Sequence, residues 1–535
     1  MKTMINSIIL ASCLALPLAS CSDSDAAPEQ KDWSTTTYFN SSDAAAQDTY
    51  YKPAVGYVGD PMPFFDPVAG DFKVLYLLDF RPNPEGTYHP IWGVSTKDAA
   101  HYTALGELVS CGTLKSQDAA IGTGSTIYDE ASKLYYTFYT GNKYKPTGDE
   151  SAQVVMVATS ADFKTWTKDR TFLLKGQDFG YDKNDFRDPF VFKGDDGKFH
   201  MLISTKKGGK GSLAEFVSDD LKNWTDNGVF MTMMWDRFYE CPDLFKMGDY
   251  WYLVYSEIHH AVRRVQYFKG RTLDELKACT ANDVARWPDA HEGFLDSRGL
   301  YAGKTASDGT NRYLWGWCPT RRGKDNTAVG ASPAEPEWAG NLVCYKLIQH
   351  EDGTLTLGQV DAVSEKYNQD VAVEVKESQN MTEADGTYTL AGSVEQPDAY
   401  MLMGRLGSHN KISFTVTTSN EWDKFGISMV RGSDSKKYYT MVVNPENENN
   451  RKVNFEEQGV EGKGFIAGID GYVFARPADN VYNITIYTDN SICVMYINDV
   501  CSYTNRIYGI QKNCWSINSY NGANVKISNL KISQY

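Results

Sequence analysis

Short apolar runs separated by turn residues dominate the chain from about residue 50 onward. Typical runs, rich in Val, Leu, Tyr and Phe, cover residues 73–78, 133–139, 153–159, 199–204 and 250–255. Gly, Asp and Asn stand between them, as expected for β-strands joined by tight turns. Helical periodicity is scarce, and residues 271–285 are the best helical candidate. The pattern therefore predicts an all-β fold.

A weak internal repeat divides the first part of this region. The segments Asp98–Tyr102, Asp162–Trp166 and Asp220–Trp224 each place an aromatic residue four positions after an Asp. The aromatic residues are 64 and then 58 residues apart. This period suits one four-stranded blade of a β-propeller, and residues 50–360 hold about five such units. We therefore predict a five-bladed propeller in which the Asp caps a turn and the aromatic ring packs between blades.

The pattern changes after about residue 365. A polar stretch over residues 364–370 is followed by runs that alternate apolar and polar residues, such as 411–417 and 483–487. This alternation is typical of a β-sandwich. The predicted domains are a propeller over residues 46–362 and a C-terminal sandwich over residues 370–535.

The N-terminal segment looks like a targeting sequence. Lys2 is the one charged residue among the first twenty, and the apolar stretch of residues 5–18 is too short for a comfortable membrane span. The string Leu-Ala-Ser-Cys ends at Cys21, and an acidic segment rich in Ala and Ser continues to about residue 45. This arrangement resembles the surface lipoproteins of the Bacteroidetes.

The resemblance implies a signal peptide over residues 1–20, an acylated Cys21 and a flexible tether over residues 21–45. The expected location is the outer membrane, facing the cell surface, with a periplasm-facing lipoprotein as the alternative. A plain secretory signal with a chance cysteine is the other interpretation. The lipid anchor is then the sole membrane contact that we expect.

Charge and cysteine usage narrow the choice of partners. The formal net charge is −15 and no Lys/Arg-rich run occurs, which disfavours nucleic acid and polyanionic substrates. None of the ten cysteines has metal-site spacing, and His259-His260 lacks an evident third ligand, so no metal and no cofactor are predicted. Cys493 and Cys501 are the pair to test first for a disulfide. A neutral substrate fits best.

Three acidic residues stand beside strand-like runs, each just before a Pro. They are Asp60 within 57–63, Asp188 within 186–192 and Glu240 within 239–245. Because the first strand of each blade lines the propeller channel, one carboxylate from each of three blades would converge at one end of it. Cleavage of a glycosidic bond needs one acid for the leaving oxygen and one carboxylate that attacks carbon or activates water. Taken singly, an Asp-Pro pair more often marks a turn than a catalytic carboxylate.

In this order and spacing, the motifs resemble those of glycoside hydrolase family 32, the fructan hydrolases and invertases. That family joins a five-bladed propeller to a β-sandwich. The resemblance implies that Asp60 is the nucleophile, that Asp188 stabilises the transition state and that Glu240 is the general acid/base. Arg187 would bind sugar hydroxyls. Further similar stretches are 92–98, 122–125, 295–302, 312–317 and 338–342.

The chain departs from the family pattern around the first motif. Gly59 stands where the family has Asn, and Met62-Pro63 replaces Asn-Gly. Asp79 takes the place of a Gln that contacts the sugar in the family. The remaining candidates for substrate contact are Ser125 and the tryptophans Trp92, Trp235 and Trp315. For each tryptophan, packing between blades is the alternative role.

The resemblance implies a retaining hydrolase of β-fructofuranosidic linkages in levan, inulin or fructo-oligosaccharides, associated with glycan-uptake machinery at the cell surface. One alternative is an inverting arabinan- or xylan-cleaving enzyme on a related five-bladed fold. The other is a fructan-binding surface lipoprotein without catalysis. The anomeric configuration of the first product would distinguish the inverting enzyme from the retaining one. The presence of all three acids argues against a binding protein without catalysis.

Overall fold

A computed structural model describes most of the chain as β-strands and the turns between them. It covers residues 49–79, 88–233, 238–257, 264–279, 292–321, 336–431, 437–445, 452–456, 472–474, 476–510 and 513–535. Cys21, Trp235, His259 and His260 lie outside the described residues, as do the predicted signal and tether. The prediction of an all-β fold is confirmed.

Twenty strands form five blades, each an antiparallel meander of four strands in chain order. They are β1 (Tyr57–Asp66), β2 (Asp71–Asp79), β3 (Ile91–Thr96) and β4 (Thr103–Val109) in the first blade; β5 (Ala120–Asp129), β6 (Leu134–Asn142), β7 (Gln153–Ser160) and β8 (Thr167–Leu174) in the second; β9 (Phe186–Lys193), β10 (Phe199–Lys207), β11 (Lys210–Ser218) and β12 (Thr225–Thr232) in the third; β13 (Glu240–Met247), β14 (Tyr250–Glu257), β15 (Arg264–Gly270) and β16 (Glu292–Phe294) in the fourth; and β17 (Tyr301–Ser307), β18 (Arg312–Arg321), β19 (Pro336–Gln349) and β20 (Leu355–Gly358) in the fifth. The predicted five-bladed propeller is confirmed.

The first and last blades are joined edge to edge. Strand β19 pairs with β1 at Gly340 and Val58, so the strands of the two blades share one hydrogen-bonded sheet. Neighbouring blades otherwise pack through apolar side chains. Residues that share such clusters are Leu75 and Tyr139 for the first and second blades, Phe138 and Phe216 for the second and third, and Leu213 and Tyr255 for the third and fourth. Burial of these rings holds the blades around the channel.

The repeat has the structure that the sequence predicts. In each copy the Asp carboxylate accepts two backbone N–H bonds in the turn between the third and fourth strand of a blade, for example Asp162 from Lys164 and Thr165, both over 2.8 Å. The aromatic residue then packs against a neighbouring blade. The ring of Trp224 lies edge-on to Phe138 with centroids 5.6 Å apart.

Two short helices interrupt the succession of strands, one within the fourth blade and one between the propeller and the sandwich. Helix α1 (Leu273–Ala278) begins after Thr272, whose hydroxyl accepts the N–H of Glu275 over 3.1 Å, and it lies within the predicted helical segment. Helix α2 (Asp361–Lys366) leads from the propeller to the sandwich. A single turn of 3₁₀ helix covers Gly176–Phe179. No described helix is long and apolar enough to cross a membrane.

The C-terminal strands form two packed antiparallel sheets. In chain order they are β21 (Gln369–Val371), β22 (Val375–Gln379), β23 (Met381–Ala384), β24 (Thr387–Ala391), β25 (Ala399–Arg405), β26 (His409–Thr418), β27 (Phe425–Arg431), β28 (Lys437–Asn444), β29 (Lys452–Glu456), β30 (Tyr472–Val473), β31 (Val481–Asp489), β32 (Ile492–Ile497), β33 (Cys501–Arg506), β34 (Cys514–Ser519) and β35 (Asn524–Gln534). One sheet has the order β23-β24-β35-β26-β31-β32-β33, with β21 added on β35. The other has the order β22-β25-β34-β27-β28-β29-β30.

The alternation of buried and half-buried residues along the strands shows which side chains form the sandwich core. On β26, Ile412, Phe414 and Val416 are buried while the residues between them are half-buried, which is the predicted period of two. Cys493 is opposite Asn505 and Cys501 is opposite Ile497, so the two sulfurs are not joined. The outer face of β31 and β32 packs on the fifth blade of the propeller in one continuous apolar cluster.

Candidate active site

The site begins with an irregularity shared by all five channel-lining strands. Each first strand of a blade, or its partner opposite, shows a β-bulge. These bulges lie between Gly59 and Met62 on β1, Gly122 and Gly124 on β5, Glu240 and Asp243 on β13, Tyr301 and Lys304 on β17, and opposite β9 between Leu202 and Ser204. Bulges redirect side chains and are frequent next to active sites.

The backbone at these bulges is strained. Asp60, Asp188 and Cys241 have φ angles of 25°, 58° and 51°, in the region that side-chain-bearing residues rarely adopt. Such strain persists where the surrounding structure enforces it, and it is concentrated at functional sites. The bulges bring carboxylates from three blades into mutual electrostatic contact within the channel.

Asp60 lies in the channel beside other acids. The indole N–H of Trp317, on β18, donates to Asp60 Oδ1 over 3.1 Å. Burial and the negative charge of Asp188 raise the pKa of Asp60 to about 7, although the bond from Trp317 acts in the opposite direction. The Asp60 carboxyl therefore loses its proton at a higher pH than an ordinary aspartic acid does.

Asp188 is held from two sides. Its Oδ2 accepts the backbone N–H of Cys241 over 2.9 Å, and its own N–H donates to the hydroxyl of Thr140 over 2.9 Å. Burial raises the pKa of Asp188 to about 6, against the lowering effect of the neighbouring Arg187. The bond from Cys241 ties Asp188 to the strand that carries Glu240.

Two donors orient Glu240. Arg187 Nη2 donates to Glu240 Oε1 over 3.0 Å, and the phenol of Tyr301 donates to Oε2. Arg187 is itself fixed by Asp185, which accepts from Nη1 over 2.7 Å, and by the ring of Phe238, 4.0 Å below its guanidinium carbon. The surrounding carboxylates raise the pKa of Arg187, so it is a permanent cation.

A buried lysine adds a positive charge to the cluster. Lys304, on β17, donates from Nζ to the carbonyl oxygen of Gly124 over 2.7 Å and is 2% exposed. Its charge lowers the pKa values of both Asp60 and Asp188, against the effect of burial. All five blades therefore contribute a group or a backbone contact to one cluster.

Aromatic rings form a wall beside Asp60. The ring of Trp338 lies over Gly59, where an added Cβ would be 2.3 Å from Trp338 Cη2. His89 stacks on Trp338 with ring centroids 4.1 Å apart and planes inclined by 20°. Asp79 Oδ1 is 3.6 Å from His89 Nε2. Asp79 therefore lies next to this wall, and its contact with sugar stays a prediction.

This arrangement has the parts needed to cleave a glycosidic bond. One carboxyl, Asp60, can attack carbon, and a second, Glu240, is oriented by two donors so that it can exchange a proton with an oxygen. Asp188 and Arg187 provide further charge and hydrogen-bonding capacity. Within the described residues, no group of three or more His, Cys, Asp or Glu forms a candidate metal site.

Comparison with known families covers both domains. Residues 50–360 match the Glycosyl hydrolases family 32 N-terminal domain. The chain belongs to glycoside hydrolase family 32. Residues 353–532 match the domain described as "GH32, BT1760-like, C-terminal domain".

Individual relatives are distant. Beta-fructofuranosidase, insoluble isoenzyme CWINV2, of Arabidopsis thaliana is 26% identical over 320 residues, covering 54% of this chain and 51% of that protein. The chain thus spans about half the length of this curated relative. Many solved structures share the fold across both domains, and two of them serve as examples. They are sucrose-6-phosphate hydrolase from Lactobacillus gasseri (TM-score 0.67, 18% identity, 92% of this chain and 93% of that one) and fructan 1-exohydrolase IIa from Cichorium intybus (TM-score 0.66, 15% identity, 92% and 98%).

The departure from the family 32 pattern at Gly59 has a physical cause. With Trp338 lying on its Cα, position 59 has no room for any side chain, including the Asn of the family motif. The backbone there must also turn into the bulge that presents Asp60. Gly59 and Trp338 therefore form a matched pair in this chain.

The structure gives two of the substrate candidates packing roles instead. Trp315 is fully buried, and its indole N–H donates to the hydroxyl of Tyr102 over 3.1 Å, so it has no exposed face to stack on a sugar. Ser125 donates its hydroxyl hydrogen to the carbonyl of Pro189 and accepts the N–H of Val191, both over 2.9 Å. The Ser125 hydroxyl thus uses its one hydrogen for Pro189 and a lone pair for Val191, and it holds β9 in place next to Asp188.

The structure neither supports nor contradicts a contact between Trp92 and the substrate. Trp92 is half-buried at the edge of an apolar cluster, and its role in substrate binding stays a prediction. The structure adds Trp317, Tyr301, Lys304 and Trp338 to the site. Three of these lie in segments already noted for their family likeness, but the sequence contained no signal that Lys304 would point inward.

Proposed function

We propose that this protein is a retaining glycoside hydrolase that cleaves β-fructofuranosidic linkages. The observation that carries the proposal is the cluster of Asp60, Asp188 and Glu240, presented by bulges of three blades in a chain of family 32. Arg187 and Tyr301 orient the acid that must exchange protons. The inverting and non-catalytic alternatives have no comparable support.

The reaction proceeds in two steps. The carboxylate of Asp60 attacks the anomeric carbon while Glu240 gives its proton to the departing glycosidic oxygen, so that one sugar leaves as an alcohol. Asp188 lies close enough to stabilise the positive charge of the transition state. Glu240, now ionised, takes a proton from water, and the oxygen of that water displaces Asp60 from the sugar. Two displacements at the same carbon retain its configuration.

The substrate class follows from the relatives and from the charge of this chain. Relatives include a fructan 6-exohydrolase of Beta vulgaris and several beta-fructofuranosidases. The formal net charge of −15 favours a neutral fructan over a phosphorylated sugar. Levan, inulin and fructo-oligosaccharides are therefore the proposed substrates.

The test is product analysis on levan, inulin and sucrose, with Asp60→Ala as the control. We expect fructose or oligofructosides from at least one fructan and none from the variant. Carbon-13 NMR of the first product should show retained configuration at the anomeric carbon. Absence of hydrolysis on all three substrates contradicts the proposal, and an inverted first product contradicts the retaining mechanism.

We also propose that Cys21 is acylated and anchors the protein in the outer membrane, facing the fructan outside the cell. The short apolar stretch before Cys21 and the acidic segment after it support this placement. Cys21→Ala should move the protein from the membrane fraction to the soluble fraction. Cys13→Ala, in the same segment, is the matched control and should leave the membrane fraction unchanged. Membrane retention of Cys21→Ala contradicts the anchor.

A further inference from the structure

A buried arginine of the sandwich reaches the strand that supports Asp60. Arg506, at the end of β33, is 2% exposed. Its Nε donates to the carbonyl oxygen of Pro319 over 3.1 Å, and its Nη2 donates to that of Cys318 over 2.9 Å. On its own domain, Nη1 donates to the hydroxyl of Ser491 over 2.9 Å. Arg506 therefore links the sandwich to the backbone of β18.

The two carbonyls that Arg506 binds come directly after a residue of the active site. Trp317, whose indole N–H donates to Asp60, is followed in the chain by Cys318 and Pro319. A planar guanidinium that binds two successive carbonyls fixes the orientation of both peptide groups. These two peptide groups begin one residue after Trp317, so holding them restricts the course of the strand that carries the Trp317 side chain.

The same guanidinium also holds the strand that carries Trp338. Nη2 of Arg506 donates to Oδ1 of Asn341 over 2.7 Å, and Asn341 comes three residues after Trp338 on β19. The strands β18 and β19 meet here without a gap, because an added Cβ at Gly340 would lie 1.7 Å from the carbonyl oxygen of Cys318. One side chain of the sandwich therefore contacts both of the strands that carry Trp317 and Trp338.

A second contact from β33 holds the segment before Tyr301. The buried carboxylate of Asp296 accepts hydrogen bonds from Ser502 Oγ, Thr504 N and Thr504 Oγ1, each over 2.8 Å. Ser297 returns a bond to the carbonyl of Thr504 over 2.5 Å. The chain then continues into β17, where Tyr301 donates to Glu240. One sandwich strand therefore supports the partners of both acids.

We propose that Arg506 is a positioning residue for the catalytic centre, acting through Trp317 on Asp60. The inference rests on the proposed function for its kinetic consequence, although the positioning itself is independent of it. On this view the sandwich completes the active site of the propeller. The competing explanation is that Arg506 stabilises the domain contact and nothing more.

The hydrogen bond that Trp317 gives to Asp60 separates the two explanations. This bond lowers the pKa of Asp60, and the other groups facing that carboxyl are Asp188, Glu240, Cys241 and Lys304. If Arg506 positions Trp317, its loss weakens the bond and raises the pKa of Asp60. The acidic limb of the rate profile then moves to higher pH, as it also does in Trp317→Phe. A purely structural role moves the melting temperature and leaves this limb in place.

The experiment uses the full chain with Arg506→Lys and Arg506→Met. Tyr487→Phe is the matched control, because it removes a 2.7 Å bond between the sandwich and Gln359 that supports none of the site residues. We expect kcat/KM to fall about 10-fold or more in both Arg506 variants. The acidic limb of the rate profile should move no further when Arg506→Lys is combined with Trp317→Phe than it does in Trp317→Phe alone. It should not move in Tyr487→Phe.

A spectroscopic measurement makes the result independent of turnover. In protein labelled with ¹⁵N-tryptophan, the indole signal of Trp317, assigned through Trp317→Phe, titrates with Asp60. Its midpoint should move to higher pH in Arg506→Lys and stay in place in Tyr487→Phe. An unchanged signal and midpoint in Arg506→Lys overturns the inference, even if Arg506→Met does not fold. Absence of hydrolysis by the unaltered protein overturns the proposed function and leaves the spectroscopic result standing.

Discussion

Asp60 and Glu240 are both carboxyls of one channel, but they have different neighbours. Asp60 faces a second carboxyl, Asp188, and accepts a bond from an uncharged indole. Glu240 accepts bonds from a permanent cation, Arg187, and from a phenol. The two donors hold the carboxyl of Glu240 in one orientation, as the proposed exchange of protons requires. Different surroundings are how paired carboxyls acquire different roles.

This division of roles predicts an asymmetric response to mutation. Glu240→Ala should slow cleavage of natural fructans by about 10²-fold or more, because the leaving sugar then departs without a proton. On an aryl fructoside, the first step needs little acid, and azide should restore turnover by replacing the activated water. Asp60→Ala should be inactive on both substrates. Initial rates with and without azide measure this, and an equal loss on both substrates without an azide effect contradicts the assignment.

Lys304 contributes to where on the pH scale Asp60 and Asp188 ionise. Its charge lowers the pKa values of Asp60 and Asp188, which burial raises to about 7 and about 6. Attack requires the anion, so activity should fall as the pH drops through this range. Lys304→Met removes the charge, raises both pKa values further and should move the acidic limb of kcat/KM to higher pH. Lys168→Met is the control, because the Lys168 ammonium pairs with Asp118 and with none of the acids of the channel. A limb that moves to lower pH contradicts the role.

At the scale of elements, the strands were predictable and the bulges were not. Alternation and turn residues locate strands from local sequence, and the repeat at Asp162 and Asp220 reports the blade period. A bulge depends on what lies across the sheet, so a positive φ at Asp60 has no local signal. Trp315 and Trp317 show the same limit. They lie on one face of β18 because side chains repeat every two residues, and only the register with β19 decides which one reaches Asp60.

The bulge of β1 predicts a strict size limit at Gly59. An added Cβ would be 2.3 Å from Trp338 Cη2, and the stacked His89 restricts movement of that ring. Gly59→Ala should therefore lower kcat/KM by about 10-fold or more through displacement of Trp338. The double variant with Trp338→Ala should be no worse than Trp338→Ala alone, since the clash is then gone.

Steady-state kinetics and melting temperatures of these variants provide the measurement. Gly404→Ala is the matched control, because its added Cβ meets nothing closer than 3.5 Å. It should behave like the unaltered protein. Full activity of Gly59→Ala, or strictly additive losses in the double variant, would show that Trp338 does not limit this position.

At the scale of the whole molecule, the two domains share an apolar contact and several buried hydrogen bonds. One apolar cluster joins the first, fourth and fifth blades to β31 and β32, and a second cluster joins the first blade to the second. The sequence predicted both domains but contained no sign that Arg506 and Asp296 would bind across their contact. Such pairings join residues that are 100 or more positions apart.

The buried acids should make the stability of the whole protein depend on pH. The folded-state pKa of Asp60 is raised to about 7 from its usual 3.8. The folded state therefore binds more protons than the unfolded chain between these values, and this contribution to stability is lost as the pH rises through 7. Asp60→Asn removes the buried charge, and it should raise the melting temperature at pH 8 by about 2 °C or more while changing it little at pH 4.

Asp220→Asn tests the sign of this effect with the same chemical change. Hydrogen bonds from the backbone of Asn223 and Lys222 lower the pKa of Asp220 to about 2, so its contribution is present above pH 4 and is lost as the pH falls through 2. This variant should lower the melting temperature at pH 8, opposite to Asp60→Asn. Calorimetry at both pH values measures the two shifts. A lower melting temperature of Asp60→Asn at pH 8 would mean that the anion of Asp60 stabilises the fold, and the acids would then be no burden on it.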